Sequence, residues 1–227
     1  MIISHKHKFI FVKTEKTAGT SLEIALSEIC GPDDIISPIS TKDELYRKEL
    51  GFRGKQNFHI PFSKYGLKDY LTAIYRRKRL KYYNHIGASK IREYLDKKQW
   101  DSYYKFAFER NPYDKLISWY YWKGGDEKFG SISNFIRSEI STRIRGLELY
   151  TKNSVIIVDK VYKYEELSSA MIDISEKLGL SKKLELPDVK AKGNIRKNKS
   201  HYTDILNQHE MQWVSKTYAR EIAHFGY

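Results

Sequence analysis

Residues 9 to 21 read FIFVKTEKTAGTS, an apolar run that passes through a Lys-Thr-Ala-Gly-Thr-Ser turn straight into a helical pattern. A strand, a loop and a helix N-terminus follow one another here. Leu22, Ala25, Leu26, Ile29 and Cys30 recur at the spacing of one helical face, so the helix opens at the end of the turn. Its first-turn N–H groups have no partner within the helix and carry the positive end of its dipole. With the permissive Gly19, the small Ala18, the hydroxyls of Thr17, Thr20 and Ser21 and the ammonium of Lys16, they make a seat for a phosphate or sulfate. The loop is not a Walker A sequence: G-x-x-x-x-G-K-[ST] places two glycines before the lysine, whereas here Lys16 precedes Gly19.

A second unit of the same kind follows. Residues 104–109 (YKFAFE) alternate like a strand, Asn111-Pro112 opens a helix with proline in its first turn, and residues 113–122 continue it with many aromatics. This unit carries Arg110, whose planar fork suits bidentate phosphate contact, and Ser118, about two turns into the helix. Ligands of open α/β sheets sit at the carboxyl ends of strands, where both units place these residues. Two anion seats imply a ligand with two separate phosphate groups.

The remaining cues also alternate. Leu67, Leu71, Ile74 and Tyr75 predict a basic amphipathic helix reaching about Tyr83, and a short helix is expected at 88–95. Polar helices are expected over 132–149, a short strand over 161–164, and a helix over 165–178 closed by Gly179. Asn207 and Glu210 have capping-box spacing for a last helix whose Val214, Tyr218, Ile222 and Phe225 share one face. Residues 31–61 read as irregular. Strands alternating with helices predict a single α/β domain over 1–227, with a mainly parallel central sheet covered on both sides.

Composition narrows the partners. A hydrophobic fraction of 41% with 14% aromatic excludes a disordered chain, while 30% charged residues and a mean hydropathy of -0.62 indicate a soluble one. No apolar run approaches the roughly 20 residues that span a bilayer, and no secretory h-region follows the charged N-terminus, so a cytoplasmic location is expected. The single cysteine, Cys30, lies on the apolar face of the first helix and reads as core. A net charge of +13, from 41 Lys+Arg against 28 Asp+Glu, with pI about 9.5, calls for a polyanionic partner: nucleic acid, acidic glycan, membrane surface or a multiply charged nucleotide. The clusters at 76–81 (RRKRLK) and 190–199 supply much of the excess. No metal is expected, since H-E-x-x-H, paired cysteines and hard-cation carboxylate spacing are all missing from the sequence.

FVKTEKTAGTS followed by FAFERNPYDKLISWYYW resembles the two nucleotide-binding signatures of sulfotransferases that use 3′-phosphoadenosine 5′-phosphosulfate (PAPS). The likeness is closest to the carbohydrate type related to heparan sulfate 2-O-sulfotransferase. It continues through His85 with Gly87, Ala88 and Ser89, the stretch 100–105, VYKYEEL and the ending REIAHFGY, and so covers most of the chain. The resemblance implies a P-loop-like three-layer fold with a mainly parallel central sheet flanked by helices. It implies that Lys16, Thr17, Ala18, Gly19, Thr20 and Ser21 hold the 5′-phosphosulfate, and that Arg110 and Ser118 contact the 3′-phosphate. Arg196 and Lys197 match a basic loop that closes over the nucleotide. Lys13, Glu15 and Ala18 depart from the pattern, standing where relatives often carry histidine, proline and a second glycine. Glu15 puts a carboxylate beside an anion seat and must point away or pair with Lys13.

Sulfuryl transfer needs a general base for the acceptor hydroxyl and positive charge on the leaving phosphate oxygen. Lys16 suits the second task. Of seven histidines, the resemblance selects His85 for the first, with His59 as the alternative. The acceptor expected is a hydroxyl of a carbohydrate, the product adenosine 3′,5′-bisphosphate, with no metal, no membrane span and no specific nucleic acid. Two other readings stay open: a small P-loop-like kinase using ATP, and a basic nucleic-acid-binding protein whose tyrosines and tryptophans stack on bases.

Overall fold

The computed structural model describes residues 1–187, 198 and 200–227. Ile2–Ser4 forms strand β1, and the FIFV run forms β2 (Phe9–Val12), with all seven residues buried. Strands β3 (Ile35–Ile36) and β4 (Tyr104–Glu109) follow in the chain. Thr151–Lys152 (β5) and Val155–Ile156 (β6) make a separate antiparallel hairpin, and Lys160–Lys163 is β7. The main sheet has the order β3-β1-β2-β4-β7. Its centre is parallel, with Phe11 opposite Phe106 and Phe108 opposite Tyr162, while β1 runs antiparallel to both β2 and β3.

Strand alternation sorts the side chains onto two faces. Phe9, Phe11, Phe106, Phe108 and Tyr162 turn to one side and pack with Leu22, Ala25 and Leu26 of helix α1 (Gly19–Ser27). Ile10, Val12 and Ala107 turn to the other. Each fully buried Phe or Ile of this kind contributes roughly 1.5–3 kcal/mol relative to exposure. Helix α2 is Thr41–Glu49 and α3 is Leu67–Arg76. The second face is covered by α4 (Ala88–Tyr94) and α5 (Lys97–Ser102) through Ala88, Ile91, Tyr94 and Trp100. Helix α6 (Pro112–Trp122) starts where Asn111 accepts a hydrogen bond from the Tyr113 N–H at 3.0 Å, with Pro112 in the first turn. Short helices α7 (Gly125–Phe129), α8 (Ile132–Ile136) and α9 (Leu147–Tyr150) lead to β5. Helix α10 (Leu167–Lys177) joins the α1 face through Ala170, Met171 and Ile174. Helices α11 (Tyr202–Ile205), α12 (Gln208–Thr217) and α13 (Ala219–Phe225) close the chain. Leu116, Ile117 and Tyr120 of α6, Phe135 of α8 and Val214 of α12 form a third apolar cluster.

The chain is therefore a mixed α/β protein whose central sheet, parallel at its middle, has helices on both faces. Several local expectations hold: β4 and α6 span the expected residues, Gly179 follows α10 at φ 62°, and both halves of the Asn207–Glu210 capping box are made. Others change. The helices expected over 132–149 are short: α8, a 3-10 turn at Ser141–Arg143 and α9. The last helix is interrupted at Tyr218, which leaves helical geometry and donates its hydroxyl to the Ser141 carbonyl at 3.3 Å. Residues 31–61 contain β3 and α2. The amphipathic helix stops at Arg76 because Arg77 turns left-handed at φ 49°.

Candidate active site

The carboxyl end of β2 leads into a tightly held loop. Lys13 and Thr14 are buried, and the Thr14 hydroxyl donates to the Phe108 carbonyl, fastening the loop to β4. That leaves Thr14 Oγ1 to accept from the buried Thr17 hydroxyl at 2.9 Å. The Thr17 hydroxyl is thus engaged within the core. Lys16 and Ala18 both take left-handed conformations, at φ 63° and 56°. Turns of this kind draw successive N–H groups into a concave anion seat, and non-glycine residues in them hold local strain characteristic of functional loops. Ala18 caps α1 with no side-chain acceptor, and the first turn of the helix carries no acid. Thr20 and Ser21 lie half-buried in that turn. Gly19 packs so closely on the start of the loop that a Cβ there would sit 2.7 Å from Lys13 Cγ.

The two lysines of the loop have different surroundings. Lys13 donates to buried Glu23 at 2.7 Å. Burial alone would raise the Glu23 pKa, but the Lys13 ammonium and the Met1 amine outweigh it and hold the carboxyl at about 2. Glu15 points away from Lys13: its carboxylate accepts from the Arg145 backbone N–H at 2.8 Å and from Arg145 Nε at 3.4 Å. The acid beside the anion seat is thereby neutralised. Lys16 Nζ lies 4.6 Å from the ring centroid of Trp122. Trp122 is one turn beyond Ser118 on α6, so Lys16 meets the face that carries half-buried Ser118.

Arg110, at the end of β4, reaches across to the first loop. Its Nη1 donates to the Lys16 carbonyl at 3.4 Å, and its guanidinium carbon lies 4.3 Å over the Tyr164 ring. Behind it, the fully buried Glu109 carboxylate accepts from Lys115 Nζ at 2.7 Å, from the Tyr150 hydroxyl at 3.0 Å and from the Arg110 N–H at 2.9 Å. Burial, followed by the Glu109 charge and hydrogen bond, drives the Tyr150 hydroxyl far above the usual tyrosine range. Gly146 roofs this network: a Cβ there would overlap Lys115 Nζ and lie 2.7 Å from Glu109 Oε2. Gly146→Ala is expected to cost about 1–3 kcal/mol through overpacking, read as a lower urea midpoint; an unchanged midpoint would show that the roof yields freely. The chain terminus docks nearby, where the Tyr227 hydroxyl donates to Glu165 at 3.0 Å and Glu165 accepts from the Asn111 N–H at 2.9 Å.

His85 is held at this end of the sheet. It sits at φ 58°, half-buried, with Nδ1 3.0 Å from the Lys13 carbonyl. A carbonyl only accepts, so Nδ1 carries the proton and Nε2 keeps a free lone pair. Burial, reinforced by the Lys13 charge, lowers the His85 pKa to about 3. His59 lies elsewhere. It is exposed and lines an open cavity of about 500 Å³ with His5, which follows β1 at the amino end of the parallel strands.

The fold thus gathers Lys16, Ala18, Gly19, Thr20, Ser21, Arg110, Ser118 and His85 at the carboxyl ends of β2 and β4. Arg196 and Lys197 lie outside the described residues. Trp122 and Tyr164, which orient the two cations, were not evident from sequence. Trp122 is 40% exposed, whereas its neighbours Trp119 and Tyr120 are buried. Its only sequence signal is its distance of one turn from Ser118. Cys30 is core as expected, its thiol pushed far up by burial.

Among the described residues no helix is long and apolar enough to cross a membrane, and no group of three or more His, Cys, Asp or Glu side chains is placed to hold a metal ion. A sequence profile for the family described as Sulfotransferase family matches residues 1–227. An uncharacterized protein of Archaeoglobus fulgidus is 34% identical over 113 residues, covering 47% of this chain and 94% of that protein. No solved structure matches the chain.

Proposed function

The chain belongs to the sulfotransferase family, and on that premise we propose that residues 1–227 act as one P-loop-like domain in the cytoplasm, transferring a sulfuryl group from PAPS to a carbohydrate hydroxyl. The observation that carries this reading is the Arg110–Lys16 hydrogen bond of 3.4 Å, which joins two anion-seeking loops at one strand end. A donor with a 3′-phosphate at one end and a 5′-phosphosulfate at the other explains why two cationic loops meet. The donor set fits that ligand: Glu15 and Glu109, beside the two loops, are each paired with a cation, Arg145 and Lys115. The carbohydrate acceptor rests on the resemblance of the two signatures.

PAPS supplies an activated sulfuryl group whose leaving oxygen belongs to a phosphate. The N–H groups of Gly19, Thr20 and Ser21 and the main chain of Thr17 and Ala18 bind the 5′ end, and Lys16 neutralises charge growing on the leaving phosphate. Arg110 and Ser118 bind the 3′-phosphate, and Arg196 and Lys197 cover the nucleotide. His85, oriented by the Lys13 carbonyl, accepts the acceptor proton at Nε2. Its low pKa in the ligand-free protein keeps it neutral at physiological pH, and a bound polyanion brings negative charge that raises its basicity.

Calorimetric titration with adenosine 3′,5′-bisphosphate tests the reading. Micromolar or tighter binding is expected, with ATP much weaker. Lys16→Ala and Arg110→Ala should each weaken binding by about 10–100-fold, the loss of one charge-assisted contact. A folded protein that does not bind the bisphosphate, or that prefers magnesium-ATP, would overturn it.

A further inference from the structure

Helix α3 turns its apolar stripe toward water. None of its residues is buried, and Leu67, Leu71, Ile74 and Tyr75 are 78, 60, 73 and 90% exposed. Together with Tyr70 they occupy positions 67, 70, 71, 74 and 75, one continuous helical stripe, and exposed Phe62 lies in the turn before it. The opposite side of the helix attaches it to the body. Asp69 accepts from the Tyr94 hydroxyl at 3.2 Å, and Ala73 packs against the core. A contiguous exposed apolar stripe of this kind marks an interaction surface.

Cations border the stripe. Lys68 lies on the helix, and Arg76, Arg77, Lys78, Arg79 and Lys81 follow at its end, all exposed. Arg79 lies 4.9 Å over the Phe62 ring. The basic segment is held in place: the Leu80 N–H donates to the Tyr65 hydroxyl at 2.7 Å, and the Ile60 N–H to the Leu80 carbonyl at 3.0 Å. Exposed leucine and isoleucine side chains on a helix with arginines at its end match a bilayer interface, where apolar side chains enter the acyl boundary and cations meet phosphates.

We propose that α3 and the 76–81 segment dock the protein on an anionic lipid surface. An acidic glycan or a nucleic acid would satisfy the arginines and leave Leu67, Leu71 and Ile74 in water. A second copy would set the same basic segment against itself across a symmetric interface, in a chain already carrying +13. Neither accounts for both halves of the surface. The inference does not depend on the identity of the sulfuryl donor.

Vesicle flotation of the full chain tests it, using phosphatidylcholine alone and equal parts phosphatidylcholine and phosphatidylglycerol. Binding to the anionic vesicles is expected, and about tenfold weaker binding for Leu71→Glu/Ile74→Glu and for Arg76→Gln/Arg77→Gln/Lys78→Gln. These side chains are exposed, so both variants should keep the wild-type unfolding temperature. The same variants run on heparin resin and in sedimentation velocity decide the alternatives. No binding to anionic vesicles would overturn the proposal. So would vesicle binding that survives Leu71→Glu/Ile74→Glu while tracking heparin retention, which would indicate a polyanion patch. A dimer that Leu71→Glu/Ile74→Glu dissociates would assign the stripe to a second copy and equally overturn it.

Discussion

His85→Ala is expected to lower kcat by about 10²–10⁴-fold, the range for loss of a positioned general base. Affinity for adenosine 3′,5′-bisphosphate should stay at the wild-type value, because His85 touches the Lys13 carbonyl rather than the anion loop's N–H groups. A pH profile separates a chemical role from a structural one. Burial and the Lys13 charge lower the His85 pKa from 6.5 to about 3, so in the ligand-free enzyme the acid limb of kcat/KM set by this group should fall well below 6.5. In the ternary complex, the limb of kcat should move up as the bound polyanion stabilises imidazolium. An unchanged kcat in a folded His85→Ala variant would remove this residue from the chemistry.

Glu23→Ala has the largest expected effect on stability, about 3–5 kcal/mol, because it strips a buried ammonium of its counter-charge. Glu23 accepts from Lys13 at 2.7 Å and from the Met1 amine at 2.8 Å, with all three groups buried. Lys13→Met together with Glu23→Leu should recover much of the loss, since an apolar pair replaces both charges. Denaturant titrations of the two variants make the comparison. If the double variant were as unstable as the single one, the shape of the site rather than unpaired charge would be limiting.

The pair also sets acid sensitivity. Glu23 is depressed from 4.5 to about 2 in the folded state, so its stabilisation is fully present above pH 4.5 and is lost as pH falls through 2. His85, depressed from 6.5 to about 3, adds in the same direction: the unfolded chain takes up a proton below 6.5 that the folded chain refuses until about 3. Burial also lowers the Met1 amine from 8.0 to about 5, which acts in the same direction, so stability should decline from about pH 8 downward, and His85→Gln should flatten the part of that slope below 6.5.

Much of the architecture was legible because its signals are local. The apolar run of β2, the alternation of β4, the Asn111-Pro112 start of α6 and the Asn207–Glu210 box involve residues a few positions apart, and each element formed there. Strand β1 was hidden by the charged turn at 5–8 (HKHK), and its partner β3 is two residues long. Neither carries a period that a window can detect. The approach of Gly146 to the Lys115–Glu109 pair involves residues too far apart in sequence for any local window to show.

The two strand-loop-helix units and the residue types suited to anions are readable along the chain, since they depend on backbone propensity and on chemistry carried by single side chains. Which of them meet follows from long-range packing. Arg110 reaches Lys16 across a separation of 94 residues, Lys13 pairs with Glu23, Glu15 turns to Arg145, and Trp122 and Tyr164 support the two cations. The same packing leaves the stripe of α3 facing water. Helical periodicity says that a face is apolar; which way that face points depends on what the rest of the chain packs against it.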